Sequence, residues 1–255
     1  MTRLLTLNLQ HGLSRAGART SADELAAAVA GLEVDVVALQ EVDRGQPRSG
    51  GIDQARVVAD ALGLPHVRFA ATLAGDVRVG KASPERWGMA DGAAYGLAVA
   101  SRWPVVAWFV KRLPRFPVRH PILRGGSVRL RDDEQRGAVA AVVQTPHGPL
   151  TVASAHLSLL GPVAAWQVGS LLRSVSTLPP PAVVAGDLNL DPWALRPLSL
   201  GWRMPRALTF PAGTPRRQID HVLTRGIEID RADAVDLAIS DHRGLLATLT
   251  HDIVR

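Results

Sequence analysis

Several apolar runs in this sequence stop on side chains able to hold a cation or move a proton. Leu4-Leu5-Thr6-Leu7 ends on Asn8 and Val36-Val37-Ala38-Leu39-Gln40 on Glu41. Val152-Ala153-Ser154-Ala155 ends on His156, and Val183-Val184-Ala185-Gly186 on Asp187, with Asn189 beyond. Such runs read as buried strands, and in layered α/β proteins the carboxyl ends of strands are where ligand sites assemble. Near the C-terminus, Ile219-Asp220-His221 and Ser240-Asp241-His242 supply further carboxylates and imidazoles. Each group alone has an ordinary structural reading. An Asp after a strand caps a turn, Asn189 starts an Asx turn before Asp191-Pro192, and a lone histidine is a hydrogen-bonded core residue. So many coincidences of the right chemical types point instead to one centre. Cysteine is absent, which excludes disulfides, thiolate zinc sites and cysteine nucleophiles. Any metal is left to oxygen and imidazole donors, which favours hard cations such as Mg2+ or Mn2+.

The elements that must position these groups follow from periodicity. Strands are predicted at Arg3–Leu9, Val34–Gln40, Tyr95–Ser101, Val105–Val110, Ala138–Gln144, Leu150–Ala155, Ala182–Ala185, Ile219–Leu223 and Leu245–Leu249. Helices are predicted at Ser21–Gly31, Gln54–Leu62 and Pro162–Ser176; the first opens on Ser21 with Glu24 three residues on, a capping-box pattern. Neither strict βαβ alternation nor an all-β pattern results, so mixed sheets flanked by helices fit best. Ala74–Ala94 and Leu113–Arg131 resist assignment and read either as long loops covering or lining a site or as disordered segments. No repeat or linker marks a boundary, so one domain over residues 1–255 is expected. No run is long and apolar enough for a transmembrane span and the first residues lack a signal-peptide core, so a cytoplasmic protein is expected. The formal charge of +6 suits an anionic substrate, a nucleic acid included, although an Arg- and Ala-rich coding bias would give the same charge.

Taken together, Thr6-Leu7-Asn8, Leu39-Gln40-Glu41-Val42, Ala155-His156-Leu157, Gly186-Asp187-Leu188-Asn189, Ile219-Asp220-His221 and Ser240-Asp241-His242 resemble the endonuclease/exonuclease/phosphatase superfamily, in its order and over nearly the whole chain. The resemblance implies an α/β fold, a four-layer αββα sandwich of two mixed β-sheets flanked by helices. It implies a divalent-metal-dependent phosphoesterase that attacks its substrate directly with water. Glu41 is then similar to the main metal carboxylate, with Asn8 and Asp241 as further candidate ligands. Asp187 is similar to the group that orients or deprotonates the water, Asn189 to a donor to phosphate, and His242 to the imidazole beside the phosphate, held by Asp220. His156 matches a second imidazole near the leaving group, and Arg136 an arginine on the phosphate.

This sequence also departs from the pattern. Leu97 stands where relatives often carry Asn after Tyr95-Gly96, so Tyr95 receives no catalytic role, and Ala164 stands where many carry Arg before Gln167. His11, His66, His120, His147 and His221 read as structural or solvent-facing. A phosphodiester is the favoured substrate, with DNA, RNA, lipid headgroup, inositol phosphate, small diester and monoester left open. The competing reading is a catalytically silent relative that binds phosphate, lipid or protein. Arg115, Arg119, Arg124, Arg129 and Arg131 would contact distant phosphates if the substrate is a polynucleotide.

Overall fold

The computed structural model describes residues 1–77, 92–116, 119–124 and 127–250, with backbone alone for 119–124 and 127–132. The chain opens with β1 (Thr2–Asn8), α1 (Ala22–Val29), β2 (Val36–Arg44), α2 (Gln54–Ala61), β3 (His66–Ala74), β4 (Ala94–Ser101) and β5 (Val105–Arg112). A hairpin of β6 (Arg119–Arg124) and β7 (Ser127–Asp132) leads to β8 (Gly137–Thr145) and β9 (Gly148–His156). The remainder is α3 (Gly161–Val175), β10 (Ala182–Asp187), the short α4 (Pro192–Leu195), β11 (Asp220–Arg225), β12 (Glu228–Val235) and β13 (Gly244–Thr250).

One sheet has six strands in the order β12-β13-β1-β2-β4-β3, the other five in the order β11-β10-β9-β8-β5. Both are mixed, since β1 runs parallel to β2 and β9 to β10, while the other pairs are antiparallel. The alternating strand pattern sends one set of side chains into the space between the sheets. Leu4, Val36, Ala38, Leu97 and Val99 meet Val139, Ala141, Val152, Val183 and Val222 there. The opposite faces are covered by helices: Leu25 and Val58 on one sheet, Val168 and Leu171 on the other. Four layers result, αββα. Among the described residues no helix is long and apolar enough to cross a membrane.

Local sequence accounts for much of this. Ser21 Oγ accepts from the Glu24 amide while the Glu24 carboxylate accepts from the Ser21 amide, so the capping box closes α1 and stabilises it by about 1 kcal/mol. Between the sheets, Thr6 donates to Gln40, Gln40 to Ser154 Oγ and Ser154 to the Leu39 carbonyl. This buried polar stitch fixes β2 against β9 directly beneath the strand ends that carry chemistry.

Several elements differ from the sequence expectation. The strand predicted to stop at Gln40 continues through Glu41 to Arg44. β3 lacks clean alternation, and pairing with β4 recruits it. β12 carries Glu228, Asp230, Arg231 and Asp233, a solvated edge that antiparallel pairing with β13 holds in place. The expected loop Leu113–Arg131 contains β6 and β7; its side chains 117–132 lie outside the described residues, as does 78–91 of the other loop.

Candidate active site

Strand register assembles the centre. On the five-stranded sheet His156 pairs with Asp187 across β9 and β10, and Asp187 pairs with Asp220 across β10 and β11. One row across three strands therefore carries an imidazole and two carboxylates. Gly186 makes this approach possible. Its φ is +150° and a Cβ there would lie 1.9 Å from the Ala155 carbonyl oxygen, so only glycine lets β10 close on β9 immediately before Asp187. From the other sheet come Asn8, the last residue of β1, and Glu41, which sits where the β2–β4 register slips between Leu39 and Val42. The turn before β13 adds Asp241 and His242.

These side chains meet. Asn8 Nδ2 donates to Asp187 Oδ2 at 3.0 Å and to Glu41 Oε1 at 3.3 Å. His242 Nδ1 lies 2.9 Å from Asp220 Oδ2, and its Nε2 faces Asp187 Oδ2 at 3.9 Å. Phe210 packs on the His242 ring, centroids 4.9 Å apart. Arg136 Nη1 stands 2.9 Å from both ring nitrogens of His156, and Nη2 3.5 Å from Glu134. His156 Nε2 also lies 3.5 Å from Asp187 Oδ2. Asn189 is held in place by donating from Nδ2 to the Leu157 carbonyl, while its amide meets Asp187 Oδ1 at 3.1 Å.

Electrostatics sort these groups by task. Burial raises the Asp187 carboxyl, His242 pulls it down, and Asp220 and Glu41 push it back up, to about 7. Burial alone would lower His242, but Asp220 and its hydrogen bond, with Asp187 and Asp241, raise it to about 10. A base poised near neutrality thus faces an imidazolium that keeps its proton. For Glu41 the burial penalty is overcome by the His11 hydrogen bond and the charges of His156, Arg136 and His11, and its carboxyl falls well below the usual range. Asp241 is raised by burial and by the nearby Glu41 charge, against the pull of His242.

The donor set fits a hard cation beside Glu41 and Asp241. Asp241 Oδ1 is buried without a hydrogen-bond partner, and two carboxylates that repel one another are what a divalent ion relieves. Asn8 presents its nitrogen to this point while Oδ1 accepts from the Gln10 amide, so an oxygen-ligand role requires turning the amide over. Asp187, Asp220 and His242 also offer ligand atoms within 4.8 Å of one another. There, however, His242 Nδ1 is engaged by Asp220, and a protonated ring has no lone pair to give.

Two neighbours escaped the sequence reading. His11, expected to be structural or solvent-facing, puts Nδ1 3.2 Å from Glu41 Oε2. Tyr95 is buried under Arg48, whose Cζ lies 5.2 Å from the ring centroid, and burial followed by the charges of Glu41 and Glu134 raises its hydroxyl well above the usual range. Backbone strain, visible only in the structure, marks His11 but not Tyr95. Gln10, His11, Glu41 and Asn189 all have positive φ without being glycine, a conformation that persists where surrounding structure enforces it and that clusters at functional sites. His221, in contrast, is a buried hydrogen-bonded residue, its Nε2 2.8 Å from the Leu190 carbonyl oxygen.

The model of the Endonuclease/Exonuclease/phosphatase family matches residues 5–242. No curated protein matches the sequence. Among solved structures, an endonuclease/exonuclease/phosphatase from Beutenbergia cavernae superposes with a TM-score of 0.70 at 23% identity, over 97% of this chain and 71% of that one. The mannosyl-6-phosphatase of Bacteroides thetaiotaomicron gives 0.66 at 14% identity, over 98% and 100%. Sphingomyelinase C from Streptomyces griseocarneus gives 0.59 at 18% identity, over 96% and 98%.

Proposed function

We propose, from the premise that the chain belongs to the endonuclease/exonuclease/phosphatase family, that it hydrolyses a phosphodiester in a reaction dependent on Mg2+ or Mn2+. The observation that carries this reading is the convergence on Asp187 of an imidazolium, a second imidazole and an amide donor, with Glu41 alongside. The family's range, with phosphatase and sphingomyelinase neighbours, supports phosphoester hydrolysis generally.

Asp187 accepts the proton of the attacking water, since its raised pKa makes it a competent base near neutral pH. Asn8 holds the Asp187 carboxylate in position, and Asn189 offers its remaining amide N–H to a phosphoryl oxygen. His242, kept protonated and oriented by Asp220, donates to the non-bridging oxygen on which negative charge grows. Arg136 and His156 stabilise charge on the leaving side. These donors gain strength as charge develops, so they favour the transition state over the ground state. Glu41 and Asp241 would hold the divalent ion, which when bound draws charge from the phosphoryl group and lowers the pKa of water.

The test is hydrolysis of bis(p-nitrophenyl) phosphate and of p-nitrophenyl phosphate with Mg2+, with Mn2+ and with chelator. Metal-dependent turnover of the diester above the monoester is expected. Absence of turnover with either metal would make the chain a silent binding relative.

A further inference from the structure

Beside the catalytic centre lies a groove of about 650 Å3, lined by Trp193, Arg196, Arg206, Leu208, Arg216 and Arg217. It adjoins the centre along the chain: of its lining, Asp191 stands two residues after Asn189 and Gln218 two before Asp220. Arg217 is tied back to Asp191 by two hydrogen bonds, of 3.1 and 2.9 Å, and lies within Coulombic reach of Asp187. The other three guanidiniums are exposed, and among the described residues none takes part in an ion pair or a side-chain hydrogen bond. Some exposed arginines elsewhere are paired, as Arg203 is with Glu228 and Arg231 with Asp233, and others such as Arg19 and Arg68 stand singly among the described residues; in the groove three unpaired guanidiniums line one surface. Trp193 stands at the groove with 79% of its surface open to solvent. Leu208, which lines the same groove, is exposed as well, so the indole belongs to a surface that is both apolar and cationic.

The chemistry of this lining is specific. Several unpaired guanidiniums ask for more than one anionic group, and a flat exposed indole asks for another flat ring. Phosphates spaced along a chain, with bases between them, meet both demands. Within a duplex the faces of the bases are stacked on one another, so a base reaches an indole only when the strand is single. We propose that this groove binds the single-stranded polynucleotide extending from the scissile phosphodiester, with Trp193 stacking on an unpaired base and Arg196, Arg206 and Arg216 meeting its phosphates. The inference rests on phosphodiester hydrolysis at the neighbouring centre and names its substrate class.

Binding to the full-length chain in chelator separates the two readings, because it needs no turnover. The probe is a short fluorescent oligo(dT), titrated at several salt concentrations. Trp193→Ala is expected to raise Kd about tenfold and Trp193→Phe to restore most of the affinity. The double variant Arg206→Gln, Arg216→Gln is expected to lower the log–log salt slope by about 1.4. Unchanged affinity in Trp193→Ala overturns the proposal, as does tighter binding of duplex than of single strand. Full competition by thymidine 5′-monophosphate would assign the groove to a free nucleotide. Capture by phosphatidylserine vesicles without binding of oligo(dT) would assign it to a membrane surface, and either result sinks the strand.

Discussion

The strand-end cluster and the groove beside it share the segments around residues 189–191 and 217–220 yet are built on opposite terms. In the cluster Asp187, Asp220 and His242 are buried and lean on one another. In the groove the arginines and Trp193 face solvent. Removing one member of a buried charged set leaves its partners uncompensated, at a cost of several kcal/mol or a shifted protonation state. Replacing an exposed cation changes stability little. In the proposed reading the chemical groups are held by the same buried contacts that hold the fold, while the proposed recognition surface is exposed and can be changed at little cost in stability.

The hardest test of this contrast is Glu41→Gln, nearly isosteric but without the anionic charge. Turnover is expected to fall by about a thousandfold or more while the fold persists with a lowered melting temperature, since a carboxyl held well below its usual range stabilises the folded state at neutral pH; wild-type rate at saturating Mg2+ would remove Glu41 from the centre. Asp187→Asn and His242→Ala should each lower kcat by about a hundredfold or more, and the double variant should be little worse than either, because groups acting as a unit are not additive. Losses that multiply would place the two in separate steps.

Asp187 should also cost stability in the metal-free protein. Its folded pKa of about 7 exceeds the ordinary 3.8, so between these values the folded state binds more protons than the unfolded one, and stability falls as pH rises. In chelator, Asp187→Asn should therefore melt above wild type at pH 8 and converge with it near pH 4. A constant difference across that range would contradict the raised carboxyl.

A subtler change is expected from Asp220→Asn. The Asp220 charge helps to raise both Asp187 and His242, so its loss should move the acidic and the alkaline limbs of the pH–rate profile toward lower pH together. An unshifted profile would exclude Asp220 from the site. The smallest effect belongs to the groove: Arg217→Gln breaks an exposed pair with Asp191 and should change folding free energy by less than about 1 kcal/mol in denaturant titration. A larger loss would mean the groove is part of the structural core.

Much of this was legible in the amino-acid sequence. The alternating runs located β1, β8, β9, β10 and β13, and the Ser21/Glu24 pair located the start of α1, because burial and capping leave periodic or local marks. Edge strands leave weaker ones: β12 is too charged and β3 too rich in alanine to stand out, and both owe their conformation to a partner strand. The types of the chemical groups were legible too, from Asn8 and Glu41 to Asp241 and His242. Their gathering into one centre was expected as well; which atoms meet was not, since residues 8 and 187 hydrogen-bond across 179 positions of chain.

What the sequence determined by itself is therefore the inventory of donors, the absence of thiol chemistry and the pattern of buried strands, all of which depend on residue identity and near neighbours. Tertiary structure alone decided that His156, Asp187 and Asp220 stand in one row, through strand register. It alone brought His11 and Tyr95 beside Glu41, through a left-handed turn and a buried ring. It also set the protonation of Asp187 against that of His242. Register, burial and Coulomb coupling join groups far apart in the chain, so no local pattern records them.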